Sequence, residues 1–380
     1  EMINYIPTID QKGLKGGIVY FDGQFDDARM AISLAKTAAQ FNGVLINYMK
    51  VEEIKKNREG ISEGVIASDL ETKKKYQIQS KVIINATGVF ADSVIKMDDP
   101  DAGEMIQPSQ GTHIVLDASF LPGKYAIMVP KTKDGRILFA VPWHNHVVVG
   151  TTDTPIDNSS DEPTALEDEI SFILENASEY MTKKPRRSDV KSVFAGLRPL
   201  AAQQENSTQT KEISRHHKVN VSTSGLISVL GGKWTTYRKM GEDTINTAAI
   251  VGGLKEQKSK TRKLKLHGYD QNVDLDDPLH VYGSERSRIE SMGESKDNES
   301  LSNKFYISKN LILWSVTEEM AIHIEDILAR RARCLFLDAK ETLRIAPKVA
   351  EIMAGALDKD EDWIAQELKN FNLISKNYIL

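Results

Sequence analysis

The sequence predicts a mixed α/β (α+β) fold: a body of roughly 250 residues interrupted by a β-rich section, then a helical cap. Three observations carry that prediction. Short apolar strands and a helical pattern alternate near the start. Between Gln110 and Asp153, β segments follow one another without a helix between them. Beyond Gly253 the strands stop and consecutive helical patterns take over.

In chain order, GGIVYFD (Gly16 to Asp22) reads as a strand. Asp26 or Asp27 then supplies an N-cap for the apolar-periodic helix DDARMAISLAKTAAQF, stopped by Asn42-Gly43. VLINYMKVEEIKK and GVIASDL alternate as strands, and KVIINATG is an apolar strand ending in a small-residue turn. THIVLD, YAIMVP, RILFAVPW and HVVVGTTD are the β segments of the middle section. DEPTALEDEISFILENASEYM is a helix whose first turns are acidic, which suits the helix dipole. DVKSVFAGLRPL and HKVNVST return to β. SGLISVLGGKWTTYRKMGEDTINTAA, Ser224 to Ala249, then reads as a strand, a Gly-Gly turn and a helix. EQKSKTRKLKLHG is a basic, loose linker, and SERSRIESMGESKDNESLSN reads as a surface loop. VTEEMAIHIEDILARRARCLF, AKETLRIAPKVAEIMAGAL and DEDWIAQELKNF are the helices of the cap.

Composition narrows the function. A hydrophobic content of 40% with 27% charged residues fits a globular protein with a substantial core. The formal charge of -5 argues against an electrostatic nucleic-acid binder. The single cysteine, Cys334, excludes an internal disulfide and fits a reducing, cytosolic setting. No apolar run approaches the ~18 residues of a membrane span, which leaves peripheral attachment to a membrane open.

The turn Gly231-Gly232-Lys233-Trp234-Thr235-Thr236 invites comparison with a phosphate loop, and it fails. Trp234 follows the lysine where Ser or Thr should stand, Ile227 occupies the place of the first glycine, and GxGxxG is absent from the chain. What remains is two glycines allowing close approach, helix-start amides, a cation and two hydroxyls. That set suits a delocalised anion, such as a reduced flavin ring or a substrate phosphate; an ordinary strand-to-helix connection is the competing reading. Asn85-Ala86-Thr87-Gly88 ends an apolar strand and would present backbone at the carboxyl edge of a sheet, or else simply turn into the next helix. In FAGLRPL, Arg198 is fixed between apolar residues and followed by a proline, so it needs an anionic partner, internal or ligand. His113 and Arg215 are weaker candidates. No carboxylate or cysteine stands at metal spacing from His144, His146, His216 or His217, so no metal is expected. The basic run ARRAR, 329 to 333, reads as a solvated helical face rather than a phosphate or membrane contact.

Taken together these segments resemble the FAD-dependent glycerol-3-phosphate dehydrogenases and the related glycerophosphate oxidases, of the D-amino-acid-oxidase-like flavoproteins. GGIVYFDGQFDDAR, INATGVFADS, SQGTHIVL, PWHNHVVVGTTDTP, FAGLRPL, SRHHKV, SGLISVLGGKWTTYRKMGED, LARRARCLFLDA and APKVAEIMA match in the family's order over nearly the whole chain. The resemblance implies a partial FAD-binding domain with an inserted antiparallel β substrate domain and a C-terminal helical domain. Its boundaries would be 1–104 and 223–254 for the FAD-side pieces, 105–222 for the substrate domain, 255–275 for a linker and 276–380 for the helical domain. It also implies oxidation of glycerol 3-phosphate to dihydroxyacetone phosphate, with FAD as cofactor. A quinone is the electron acceptor in the dehydrogenases and oxygen in the oxidases, and the GGKWTTYRKM wording favours the former. A peripheral membrane site and a homodimer stay open.

By the same resemblance Arg198 grips the substrate phosphate, His113 contacts the reacting hydroxyl, Arg215 shares the phosphate, and Lys233 holds substrate or flavin. Gly231, Gly232, Trp234, Thr235 and Thr236 would line the flavin, with Val51 and Asn85, Ala86, Thr87 and Gly88 as further cofactor contacts. The family's leading GxGxxG unit has no counterpart after Glu1. The chain on its own is therefore expected to bind FAD poorly, or to act as a non-catalytic substrate-binding fragment. A general amino-acid oxidase of the same fold is a further alternative, with a carboxylate in place of the phosphate.

Overall fold

The computed structural model describes residues 2–129, 132, 135–202 and 217–380. Asp26 accepts a hydrogen bond from the Arg29 amide (2.9 Å) and so caps helix α1, Asp27–Gln40; the chain leaves it through Asn42 at φ 63°. Strands β1 (Met49–Lys56), β2 (Ser62–Asp69) and β3 (Lys75–Gln79) form an antiparallel meander in that order. A short strand β4 (Ile84–Asn85) leads into helix α2, Ala91–Asp98.

The central sheet has the order β10-β5-β8-β7-β6, with β9 also on β5. Its members are β5 (Ile106–Asp117), β6 (Ile127–Val129), β7 (Leu138–Trp143), β8 (His146–Gly150), β9 (Thr154–Pro155) and β10 (Ser192–Ala201). Because side chains alternate across a strand, the two faces bury different things. On one, Ile114, Leu116, Val147 and Val149 pack on Ile170, Ile173 and Ala177 of helix α3, Glu167–Tyr180. On the other, Trp143 and Phe194 pack into the core of the helical cap. Two hydrogen bonds fasten that second face: the Ser192 hydroxyl donates to the Leu335 carbonyl (2.9 Å), and the Ala339 amide to the Lys191 carbonyl (3.1 Å).

A third sheet of three strands has the order β11 (His217–Val221), β12 (Ile227–Gly231), β4, the last pair parallel. Helix α4, Tyr237–Val251, follows β12. The cap holds α5 (Lys309–Glu319), α6 (Ala339–Leu357) and α7 (Glu361–Ser375). Asp338 and Asp360 cap the last two helices, and Ile345, Ala346, Val349, Ala350 and Met353 form the buried face of α6. Among the described residues no helix is long and apolar enough to cross a membrane.

Several expectations are corrected. Gly16 to Asp22 is not a strand: it has no ladder partner among the described residues, and Ile18 and Phe21 are 93% and 99% exposed. A β pattern becomes a strand only when a neighbour satisfies its backbone. KVIINATG contributes only Ile84 and Asn85 to a sheet. The supposed helix over 316–336 begins earlier, at Lys309 under the Ser308 cap, and breaks at Met320 in the left-handed region (φ 57°). There Asp326 accepts from the Ile322 and His323 amides (2.8 and 3.0 Å) and opens a wide π-type segment, Asp326–Arg331, before the short helix Cys334–Leu337. The Ser/Glu-rich loop contains the helix Arg286–Glu290 and buries Ile289 against Leu311 and Trp314. Nor is ARRAR a solvated face. Arg330 pairs with Glu162 (3.3 Å) and Glu325, Arg331 donates to the Glu319 carbonyl (2.6 Å), and Arg333 pairs with Asp27 (3.0 Å) over the Phe336 ring.

Candidate substrate and cofactor site

The antiparallel register of β10 on β5 sets Arg198 opposite Ser109, Gly196 opposite Gly111 and Phe194 opposite His113; on the other side of β5, Gly150 of β8 faces His113. All these residues share the cap-facing side of the sheet. The glycines have distinct uses. A Cβ on Gly111 would collide with the Arg198 guanidinium and come within 2.6 Å of Thr151 Oγ1. One on Gly150 would run into the His113 ring, whereas one on Gly196 would meet nothing. Arg198 and His113 therefore lie down on a floor without side chains, and the floor stays open at Gly196.

Arg198 Nη2 donates to Thr151 Oγ1 and the Thr152 carbonyl (both 3.1 Å), and Nη1 donates to Asp153 Oδ1 (3.2 Å). Asp153 also accepts from the Ser109 hydroxyl. The internal carboxylate weighed from sequence thus exists, but both partners are open to solvent, 35% and 59% exposed. Such a pair contributes about 0–1 kcal/mol and is readily exchanged for a better anion. His113 stacks on Phe194 (centroids 5.2 Å apart, planes 14°), and Phe194 meets Phe336 of the cap edge-on at 4.8 Å. Burial, and secondly the charge of Arg198, hold the His113 pKa down to about 4, so the ring is neutral at neutral pH and can accept a proton.

The second half of the site is built by the parallel pair. Ile84 aligns with Ile227 and Asn85 with Ser228, so both strands release their following turns at the same carboxyl edge. Asn85 is buried and fully used: Nδ2 donates to the Ala91 carbonyl (3.0 Å) and Ser228 Oγ (3.2 Å), and Oδ1 accepts from Thr87 Oγ1 (2.7 Å) and the Thr87 amide (3.3 Å). It pins the turn Ala86-Thr87-Gly88, which opens at Gly88 with φ 61°. Across the edge Gly231 and Gly232 take φ 67° and 80°, values that favour glycine. Lys233, Trp234, Thr235 and Thr236 follow, exposed, with Thr236 Oγ1 bonded back to the Lys233 carbonyl (2.9 Å). The Gly88–Phe90 turn packs against β5, β10 and β12, and this joins the two halves.

Val51 stands apart from both. It pairs with Ala67 beside a bulge in the β1-β2-β3 sheet. That sheet is tied to the turn between β11 and β12 through Ser62, which donates to the Ser224 carbonyl (2.9 Å), while Ser224 donates to Asp98 (2.6 Å). Arg215 and His216 lie outside the described residues. His217 pairs with Asp243 (2.9 Å) and His144 with Asp26 (3.5 Å); among the described residues no group of three or more His, Cys, Asp or Glu could hold a metal ion. A cavity of about 590 Å³ between the Trp143–Asn145 turn and the cap, lined by His144, His280, Tyr306 and Arg331, contains none of the sequence-predicted site residues.

Sequence reading missed Thr151, Asp153, Phe194 and the glycine floor. Their signal was present in QGTHIV, VVGTTD and FAGLRPL as glycines beside candidate residues, but only the strand register shows which glycine faces which side chain. As a cofactor cradle, the three positive-φ glycines and the exposed helix start fit the ring end of a flavin.

Residues 2–238 match the family described as FAD dependent oxidoreductase, and residues 244–363 the C-terminal domain of alpha-glycerophosphate oxidase. The chain is 35% identical over 405 residues to a probable mitochondrial glycerol-3-phosphate dehydrogenase of Dictyostelium discoideum, covering 97% of this chain and 62% of that protein. It is 34% identical to the mitochondrial glycerol-3-phosphate dehydrogenase of Bos taurus, covering 97% and 54%. The chain thus spans between half and two-thirds of the length of these curated relatives. The solved structure of the glycerol-3-phosphate dehydrogenase from Bacillus halodurans complexed with FAD resembles it at TM-score 0.85 and 26% identity, covering 99% of this chain and 78% of that one. With most of its length matched to one family and its fold matching a structure that holds FAD, the chain belongs to the FAD-dependent oxidoreductases.

Proposed function

We propose that this chain carries the substrate-binding half of an enzyme that oxidises glycerol 3-phosphate to dihydroxyacetone phosphate. The observation that supports it best is the Arg198 fork and the neutral His113 ring on one open glycine floor beside the Gly88 turn. The substrate phosphate displaces Asp153 from the Arg198 guanidinium, whose planar donors match phosphate oxygens bidentately. The carbon chain lies over Gly196, and the C2 hydroxyl gives its proton to the His113 imidazole. Phosphate on Arg198 cancels one of the two effects that depress His113, so binding raises the basicity of the ring where it is needed. FAD, when bound, supplies the acceptor for the hydride that leaves C2. Gly88, Gly231, Gly232 and the exposed residues Lys233 to Thr236 would hold its ring end, the helix-start amides offsetting charge there, with Lys233 as a cation on the same edge. Arg215 would be a second phosphate ligand.

The resemblance to the dehydrogenase branch makes a quinone the proposed final acceptor, and the relatives matched carry dehydrogenase rather than oxidase names. Turnover that yields hydrogen peroxide in step with glycerol 3-phosphate consumption, and no reduction of a quinone analogue, would reverse that preference. For the phosphate clamp the test is Arg198→Lys in FAD-loaded protein: KM for glycerol 3-phosphate rises and kcat changes less, because a point charge replaces a fork. An unchanged KM removes the assignment.

A further inference from the structure

Behind the glycine floor lies a carboxylate that the proposed reaction does not use. Glu169, the third residue of α3, is 5% exposed, yet five neutral donors converge on it. Oε2 accepts from Gln110 Nε2 (2.9 Å), Thr112 Oγ1 (2.6 Å) and the Leu166 amide (3.1 Å); Oε1 accepts from Thr152 Oγ1 (2.8 Å) and Thr154 Oγ1 (2.7 Å). Burial pushes this carboxyl up, but the bonds from Thr112, Thr154, Leu166 and Gln110 outweigh it and hold the group ionised, below the usual range. The first turn of α3 adds its dipole. Such an arrangement is a fully satisfied buried anion, and satisfied buried networks fix geometry.

What it fixes is the back of the site. Gln110 and Thr112 alternate along β5 with Ser109, Gly111 and His113, so one strand carries the Glu169 donors on one face and the site on the other. Thr152 and Thr154 flank Asp153 in the segment after β8, and the same segment offers Arg198 its three acceptors: Thr151 Oγ1, the Thr152 carbonyl and Asp153. Thr152 Oγ1 bridges the two, donating to Glu169 and accepting from the Thr112 amide (2.9 Å). One carboxylate therefore staples β5 to the loop that aims the arginine.

We propose that Glu169 is a positioning residue that acts through residues 151–154 to set the angle of the Arg198 guanidinium toward an incoming phosphate. The inference rests on the reading of Arg198 as phosphate ligand, and the experiment separates the two. Glycerol 3-phosphate affinity is measured by calorimetry on the full chain for wild type, Glu169→Gln, Arg198→Ala and the double variant, with thermal melts in parallel. Gln keeps the size but replaces one acceptor oxygen by a donor, so Glu169→Gln weakens binding roughly ten-fold or more while the chain stays folded. The double variant binds no worse than Arg198→Ala alone, because the two residues act in series. Should Glu169→Gln not fold, Thr154→Val removes one donor at the half-buried end of the network and weakens binding several-fold, and Thr154→Ser restores it. Losses that multiply in the double variant, or unchanged affinity in Glu169→Gln or Thr154→Val, overturn the proposal. Unchanged affinity in Arg198→Ala, or no binding by wild type, overturns the phosphate reading itself and the positioning role with it.

Discussion

At the residue scale, two effects act on the His113 ring and substitution separates them. Burial is the larger and Arg198 the smaller, so Arg198→Ala raises the His113 pKa above about 4 without returning it to 6.5. Glycerol 3-phosphate moves it in the same direction. The ring is followed by its nuclear magnetic resonance shifts through a pH titration; a pKa unmoved by either change would mean that Arg198 does not reach His113. The floor makes a complementary forecast. Gly196→Val occupies the open place between the two side chains and lowers substrate affinity with little change in melting temperature, since a Cβ there meets nothing. Gly150→Ala, by contrast, displaces the His113 ring. Arg198 stands out in the sequence as an arginine locked before a proline, whereas His113 is singled out only by the family resemblance; the structure places both on one face of the central sheet. The glycines, Asp153 and Glu169 do not stand out, because their placement comes from cross-strand register and from a helix whose Glu169 lies 57 residues beyond Thr112, which no local pattern encodes.

At the scale of elements, α1 is fastened to the cap by a buried ion pair. Arg29 and Glu319 make a two-pronged pair, Nη1 to Oε2 at 3.0 Å and Nη2 to Oε1 at 2.8 Å. Trp314 Nε1 donates to the same carboxylate (3.0 Å), and the guanidinium lies over the Tyr282 ring at 4.5 Å. Removing one member strands the other charge in a dry environment, so Arg29→Ala costs ~3–5 kcal/mol, read from the denaturation midpoint at constant slope. Arg29→Met with Glu319→Leu loses much less, because no charge is left behind. The apolar period runs on past Glu319, but the helix ends at Met320 in the left-handed region, and Asp326 accepts from the Ile322 and His323 amides to start a separate segment. Helix α6 was readable to its ends, Ala339 to Leu357, since its apolar stripe is local and its cap and stop, Asp338 and Asp358, adjoin it directly. Gly16 to Asp22 was misread for the opposite reason: a strand depends on a neighbour, which alternation along one segment cannot supply.

For the whole molecule, the site face of the central sheet is closed by the cap through Phe194, Phe336 and Tyr378, so the seating of the cap bears on the seating of His113. The β1-β2-β3 meander is held to the same cap by His323, which bonds Glu367 of α7 through Nδ1 (2.8 Å) and Glu71, after β2, through Nε2 (3.1 Å). Tyr48 adds a hydroxyl bond to Asp326 (2.7 Å) and an edge-on contact with the imidazole (4.9 Å). The hydrogen bond to Glu367 outweighs burial, and with Glu71 it raises the His323 pKa from 6.5 to about 9. A raised pKa on a basic group means that the folded state holds the proton more tightly than the unfolded chain. The stability it contributes is complete below 6.5, declines above that value, and is lost as pH passes through about 9. Thermal melts should therefore fall between pH 6.5 and 9.5 by several degrees more in the wild type than in His323→Gln, which cannot take up the proton. Equal slopes in the two proteins would mean that the imidazolium does not bind the meander to the cap. Because the clamp lies on the meander rather than on the central sheet, its loss at high pH should loosen Val51 and its neighbours before it disturbs Arg198. Hydrogen exchange of β1 against β10 across the same pH range tests that order.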